Sequence, residues 1–277
     1  MHALHPPERF VLVERQRQRQ RQQQQQPPEL AARSATAVVF AVKAAAGGAA
    51  CVCKRLTART ESEAWMRARL VAEGQLLARL QGRGAPRLVA SGEDAYGPWL
   101  VLERVDGEPL AARMGFAERA ADPAWAALAA RAAFGALAQV HAEGVVHGDL
   151  SPDNVMLSAD AREATLLDFG LSVWPGAPPM PEGPFRGTLL YAAPEVARGD
   201  SPDARSDAFA LAASLLHVAS GEPPRTAPTQ AAMLLSAGEQ SVEPWARRAA
   251  ATLPAALAAG LVACCAFERD ARPPGID

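Results

Sequence analysis

Apolar and polar positions follow two regimes along the chain. Before about residue 103 the apolar runs are short. They are Phe10-Val-Leu-Val13, Ala37-Val-Val-Phe-Ala-Val42, Ala50-Cys-Val-Cys53, Arg87-Leu-Val-Ala90 and Trp99-Leu-Val-Leu102. Runs of this length, bounded by turn residues, predict strands. Gly47-Gly48 between the second and third predicts a hairpin. Phe10–Val13 stands apart and predicts an isolated strand with coil inserted after it. From Glu63 to Leu80, Leu70, Glu73, Leu77 and Leu80 recur at steps of three and four, which predicts a helix, and Pro86 ends that region. After Gly107 long Ala/Leu-rich helical stretches follow near 124–143, 205–220 and 245–266. Strands with one helix, then mostly helices, predict an α+β chain of two unlike halves meeting near Glu103–Gly107.

Composition narrows the function classes. The 277 residues allow one or two domains. A net charge of −2 argues against a basic surface for nucleic acid or anionic lipid, so no specific nucleic-acid partner is expected. The longest apolar run, Ala255–Phe267, is 13 residues, too short to span a bilayer. No signal peptide is visible at the N-terminus. Cys51, Cys53, Cys264 and Cys265 form neither a zinc pattern nor a disulfide framework, which points to a reduced, cytoplasmic setting with cysteines as core residues. Residues 15–28 are an Arg/Gln run ending in Pro27-Pro28 and lack the apolar content to offset ordering entropy. Residues 1–28 are therefore expected to be a disordered N-terminal segment.

The chemistry concentrates in three stretches: His147-Gly-Asp-Leu-Ser-Pro-Asp-Asn154, Leu166-Leu-Asp-Phe-Gly170, and Gly187-Thr-Leu-Leu-Tyr-Ala-Ala-Pro-Glu195. Two carboxylates and a carboxamide on short loops, beside β-like runs, suit Mg²⁺ better than a transition metal. A magnesium held this sparingly usually serves substrate phosphates. Asp149 is then left to orient a nucleophilic hydroxyl.

In these motifs the chain resembles the eukaryotic-like protein kinase family, of the kind also common in bacteria, over roughly residues 32–277. The resemblance implies a bilobal kinase fold over 29–277, with a sheet lobe at 29–103, a helical lobe at 104–277 and a final helix that looks truncated. It implies ATP and Mg²⁺ as cofactors and transfer of the γ-phosphoryl group to Ser or Thr of protein substrates. Asp149 matches the catalytic-loop base, Asn154 and Asp168 the magnesium ligands, Lys54 the phosphate-touching lysine and Glu73 its ion-pair partner. Ser34, Val39, Val52, Glu103, Val105 and Met156 fall at nucleotide-contacting positions, with Leu102 as gatekeeper and Glu103–Val105 as hinge. Glu195 is expected to pair with Arg272, Asp207 to hold the catalytic loop, and His147 to pack under Phe169. Lys54 has independent support. It is one of two lysines against 26 arginines, so a lysine in a predicted buried strand marks a site needing a compact ammonium.

The pattern also departs from the family. Ala32, Ser34 and Ala37 stand where phosphate-loop glycines are expected, which implies fewer backbone contacts to phosphate. Ser151 replaces a lysine that faces the γ-phosphate, and Val52 replaces a smaller residue above adenine. Gly148 stands where many members carry an arginine that grips a phosphorylated activation segment. Between Asp168 and Glu195 the only hydroxyls are those of Ser172, Thr188 and Tyr191. The expectation is activity without activation-segment phosphorylation. Two other readings remain from the residues: a pseudokinase acting as an interaction module, and a small-molecule kinase, against which the Gly187–Glu195 motif and the Asp207 helix argue.

Overall fold

The computed structural model describes residues 6–7, 10–12, 30–33, 37–44, 49–57, 64–114, 122–181, 183 and 185–273. The Arg/Gln run, Ser34, the Gly47-Gly48 turn and the last four residues lie outside these. The chain divides into two compact units. The first holds the described residues up to Gly82, Pro86–Val105 and Pro178–Pro181; the second holds the remainder.

The first unit is an antiparallel sheet with one long helix. Its strands are β1 (Phe10–Leu12), β2 (Leu30–Arg33), β3 (Ala37–Ala44), β4 (Cys51–Leu56), β5 (Leu88–Asp94) and β6 (Gly97–Glu103), in the order β1-β3-β4-β6-β5, with β2 also on β3. Phe10–Leu12 is thus not an isolated strand. Phe10 pairs with Ala44 and Leu12 with Val42, while Leu30 pairs with Phe40 and Arg33 with Val38. Since β4 occupies the other edge of β3 over Ala37–Val42, β1 and β2 run end to end along one edge. Sequence alone leaves Phe10–Val13 isolated because a short apolar run beside a polar one carries no pairing signal of its own.

Alternation sorts the sheet into two faces. Val38, Phe40, Val42, Cys51, Cys53 and Val101 form one core cluster, with Phe10, Ala90 and Trp99 packed against it. Burial pushes the Cys53 thiol up to about 12 and raises that of Cys51, as suits core residues rather than nucleophiles. Val39, Lys54 and Leu100 are cross-strand neighbours on the opposite face, as are Ala41, Val52 and Leu102. Helix α1 (Ala64–Leu80) packs on this second face. A Cβ on Gly74 would lie 2.7 Å from Leu100 Cδ2, so the missing side chain lets the helix approach β6 closely.

The second unit is mainly helical: α2 (Pro123–Ala142), α3 (Pro194–Ala197), α4 (Ala204–Ser220), α5 (Gln230–Glu239), α6 (Glu243–Ala249) and α7 (Ala255–Cys264), with a small sheet of β7 (Glu108–Pro109), β8 (Val155–Leu157) and β9 (Ala164–Leu166). Asp122 caps α2 through the Ala124 amide, and Asp203 forms a capping box with Ser206 at the start of α4. Helix α4 is buried on nearly every side, Phe209, Leu211 and Leu216 included, and is the axis of this unit. The stretch read as helical over 245–266 is two helices: Pro254 lacks the amide a continuous helix needs and restrains Leu253 before it. No helix among the described residues is long and apolar enough to cross a membrane.

Candidate active site

Lys54 sits in the middle of β4, 7% exposed, and Glu73 faces it from α1, 2% exposed. The ammonium donates to both carboxylate oxygens, at 2.7 and 2.8 Å. Removing two charges from water is costly, and a bidentate contact of this kind repays it only through short, charge-assisted bonds. At the end of β6 the Glu103 amide donates to Arg87 O at 2.9 Å and the Arg104 amide to Ala50 O at 3.0 Å. The Glu103 carbonyl and the Val105 amide take no part in these bonds, which suits a hinge that offers backbone groups to a flat heterocycle. The Glu103 side chain turns to Arg87 instead. Val39, Lys54 and Val52 share one face of the sheet with Leu102; Ser34 lies outside the described residues.

The second unit holds the acidic residues on a scaffold fixed by α4. Asp207, 2% exposed, accepts from the His147 amide at 2.7 Å, the Gly148 amide at 2.9 Å and His141 Nε2 at 2.8 Å. These bonds pin the start of the catalytic loop. Gly148 adopts φ +78°, and a Cβ there would meet Leu171 O at 3.0 Å, so a bulky side chain is strained at this position. His147 packs against Phe169 with ring centroids 4.8 Å apart, and its Nε2 meets Leu167 O at 2.9 Å. The Leu167 amide donates to Asn154 O at 2.8 Å. Leu167 is thus held on both sides, which fixes where the chain leaves for Asp168.

Asn154 Nδ2 donates to Asp149 O at 2.8 Å, leaving Oδ1 as the end of the amide suited to a cation. Asp168 is exposed and adopts φ +61°, a conformation costly for a non-glycine residue and one that turns its carboxylate away from the strand path. An amide oxygen and a carboxylate are hard ligands, and so few of them leave room for water and phosphate oxygens; the donor set fits magnesium. Met156 lies on β8, cross-strand from Pro109 and Thr165.

Asp149 is half-buried, and burial raises its carboxyl above the ordinary 3.8; the hydroxyl and amide of Thr188 and the nearby His147 pull it down, and the charge of Asp168 pushes it up. The Thr188 amide donates to Asp149 Oδ1 at 2.8 Å, and a Cβ on Gly187 would come within 3.1 Å of the same oxygen. This clamp from Gly187-Thr188 was not assigned from sequence, although the Gly-Thr pair ahead of Tyr191 was its visible signal. Arg69, which with Arg67 reads from sequence as part of a solvated helix face, is instead buried. It lies one turn before Glu73, is 5% exposed, and donates to Pro178 O at 3.0 Å within the first unit. Glu195 and Arg272 pair as the resemblance implies, both buried.

Each unit thus holds the part that the resemblance to protein kinases assigns to it: a bidentate Lys–Glu pair in the first, and an Asp–Asn–Asp set on braced loops in the second. Comparison with known proteins agrees: the model of the protein kinase domain matches residues 33–255. The chain belongs to the protein kinase domain family. Over 163 residues it is 39% identical to the DNA damage-responsive serine/threonine-protein kinase RqkA of Deinococcus radiodurans, covering 57% of this chain and 24% of that protein. Over 156 residues it is 33% identical to the serine/threonine-protein kinase PknL of Mycobacterium tuberculosis, covering 56% of this chain and 38% of that protein. The chain therefore spans well under half the length of these relatives. The crystal structure of the Mycobacterium tuberculosis PknI kinase domain shares the fold, with a TM-score of 0.61 at 22% identity over 97% of this chain and 91% of that one.

Proposed function

We propose that this chain transfers the γ-phosphoryl group of ATP to Ser or Thr hydroxyls of a protein, itself included, in the cytoplasm. The observation that carries this reading is the bracing of Asp149, Asn154 and Asp168 on one scaffold. The Asn154 amide bonds the Asp149 backbone, and Leu167 links Asn154 to the residue before Asp168. The serine/threonine-protein kinases among the relatives and the retained Lys54–Glu73 pair support it.

In this reaction the acceptor hydroxyl oxygen bonds to the γ-phosphorus as the bond to the β–γ bridging oxygen breaks and ADP departs. Asp149, ionised and held by Thr188, aligns the hydroxyl and takes its proton. Lys54, held by Glu73, neutralises the phosphates with a compact charge. Glu103 O and the Val105 amide would meet the adenine edge, with Val39, Val52 and Met156 as apolar contacts. Asn154 and Asp168 would hold Mg²⁺, which supplies charge neutralisation of the triphosphate. Most of the rate comes from positioning and electrostatics, since the protein forms no bond to the phosphorus.

The test is incubation with radiolabelled ATP and Mg²⁺, alone and with generic protein acceptors, beside Asp149→Ala and Asp168→Asn. Label on Ser or Thr with wild type, lost in both variants, is the expected result. A thermal shift with Mg·ATP but no label transfer would instead make the chain a nucleotide-binding module. Label on small alcohols but not on proteins would make it a small-molecule kinase.

A further inference from the structure

Arg225 lies in the loop after α4 and is 6% exposed. No carboxylate of a described residue pairs with it, and burial pushes its guanidinium down to about 10, still cationic at neutral pH. Its Nε and Nη2 are buried without a hydrogen-bond partner. The guanidinium carbon stands 5.6 Å from the centre of the Phe209 ring, which offers it a π face. All of its hydrogen bonding runs through Nη1 into one short stretch: Leu189 O at 3.4 Å, Leu190 O at 3.1 Å and Ala192 O at 3.0 Å. A buried, uncompensated cation is expensive to keep, and here its polar contacts serve a single segment.

That segment forms one wall of the cleft beside Asp149. Thr188, Tyr191 and Ala192 line the cleft together with Asp149, Leu150 and Phe185. Arg225 also borders a cavity of about 430 Å³, shared with Trp245 and Arg248. The guanidinium itself is buried against the carbonyls of the wall and bonds three of them.

Resting on the proposed kinase activity, we propose that Arg225 is a positioning residue for the protein acceptor: by holding the Leu189–Ala192 carbonyls it fixes the wall against which the acceptor's backbone lies when its hydroxyl meets Asp149. It touches neither nucleotide nor the reacting atoms. It governs how tightly the acceptor seats, and leaves ATP binding and turnover of the seated acceptor alone.

Two measurements test this, one of which needs no activity. Hydrogen–deuterium exchange of wild type and Arg225→Met should show the Tyr191 and Ala192 amides, which donate to Thr188 O and Leu189 O, exchanging at least tenfold faster in the variant. The amides of α2 should be unchanged. Steady-state kinetics with a peptide that wild type phosphorylates should show its KM rising about tenfold in Arg225→Met, with kcat and the KM for ATP within twofold, and partial recovery in Arg225→Lys. Unchanged exchange at 191–192, or a KM for ATP that rises in step with the peptide KM, overturns the proposal. Should Arg225→Met fail to fold, Arg225→Lys and Arg225→Gln carry both measurements. A wild type without transferase activity would sink the kinase reading, while the exchange result would still decide whether Arg225 holds the wall.

Discussion

Arg272 and Glu195, 77 residues apart in sequence, meet as a fork: Nη1 to Oε1 at 2.6 Å and Nη2 to Oε2 at 2.8 Å. Both are nearly inaccessible. Ser206 Oγ adds a bond to Glu195 Oε1 at 2.7 Å, and Arg272 also donates to Ala266 O and Phe267 O. Replacing Glu195 by Ala strands a buried guanidinium, and the expected loss is about 3–5 kcal/mol in urea unfolding. Burial raises the Glu195 carboxyl, but the bonds from Arg272 and Ser206 outweigh it and hold it below the ordinary 4.5. A carboxyl depressed on folding contributes stability above its unfolded value and loses it as pH falls through the folded one. The acid limb of the stability curve below about pH 4.5 is therefore shallower in Glu195→Gln than in wild type.

Lys54 is expected to tolerate no substitute. Lys54→Met should lower the phosphorylation rate at least a hundredfold, on the scale of losing one preorganised charge at the phosphates. Lys54→Arg should not rescue it, because the buried site holds a compact ammonium against both Glu73 oxygens and a bulkier planar guanidinium presents its donors in a fixed fork at other positions. Initial rates with labelled ATP decide this; an Arg variant within tenfold of wild type would contradict it.

Asp149 combines a raised carboxyl with a proposed role as base. The rate should fall as pH drops through that raised value, so the acid limb of kcat lies above 3.8, the ordinary value for an aspartate. Thr188→Ala removes a hydroxyl bond that favours the ionised form and should move the limb further up. Folding disfavours the Asp149 anion, so Asp149→Asn should abolish transfer while leaving the melting temperature at pH 7.5 equal to or above that of wild type. A clear drop in melting temperature would count against this.

Activation-segment phosphorylation should be dispensable. Ser172 is fully buried with Oγ on His147 O, Tyr191 is buried against His217, and the Thr188 hydroxyl is engaged with Asp149. Arg69, on the Glu73 helix, donates to the Pro178 carbonyl and so ties down part of this segment without a phosphate. Phosphatase treatment, checked by intact mass, should change activity less than twofold, whereas Arg69→Ala should lower it about tenfold without changing the mass profile.

The end-to-end placement of β1 and β2 makes residues 13–29 an insertion between two pieces of one edge strand. Leu12 faces Val42 and Leu30 faces Phe40, two positions apart on β3. That is about 7 Å of strand, the reach of one intervening residue. Deleting 13–29 and joining the ends through a single residue should keep the melting temperature within about 2 °C of wild type, which differential scanning fluorimetry would show.

Strands and helices with their own periodicity were legible from the sequence, α1 and β3 to β6 among them. So were side chains fixed by short motifs, such as Asp207, His147 and the Glu195–Arg272 pair. Relationships that depend on register or on backbone groups were not. Three residues at 10–12 carry no sign of the partner strand, and 245–266 reads as one helix only if the alanines on either side, strong helix formers, are allowed to outweigh Pro254. Arg69, whose sequence suggests a solvated position, and Arg225, which carries no sequence signal, escaped for a related reason: each bonds carbonyl oxygens, which every residue possesses, so no partner residue type marks the contact.

Phe209 takes the Arg272 guanidinium at 4.8 Å and that of Arg225 at 5.6 Å. One aromatic ring on the central helix is therefore common ground between the anchor of the chain's far end and the support behind the acceptor groove. Trimming that ring to leucine would take the π face from two cations at once, and damage there would register in thermal tolerance and in substrate capture together.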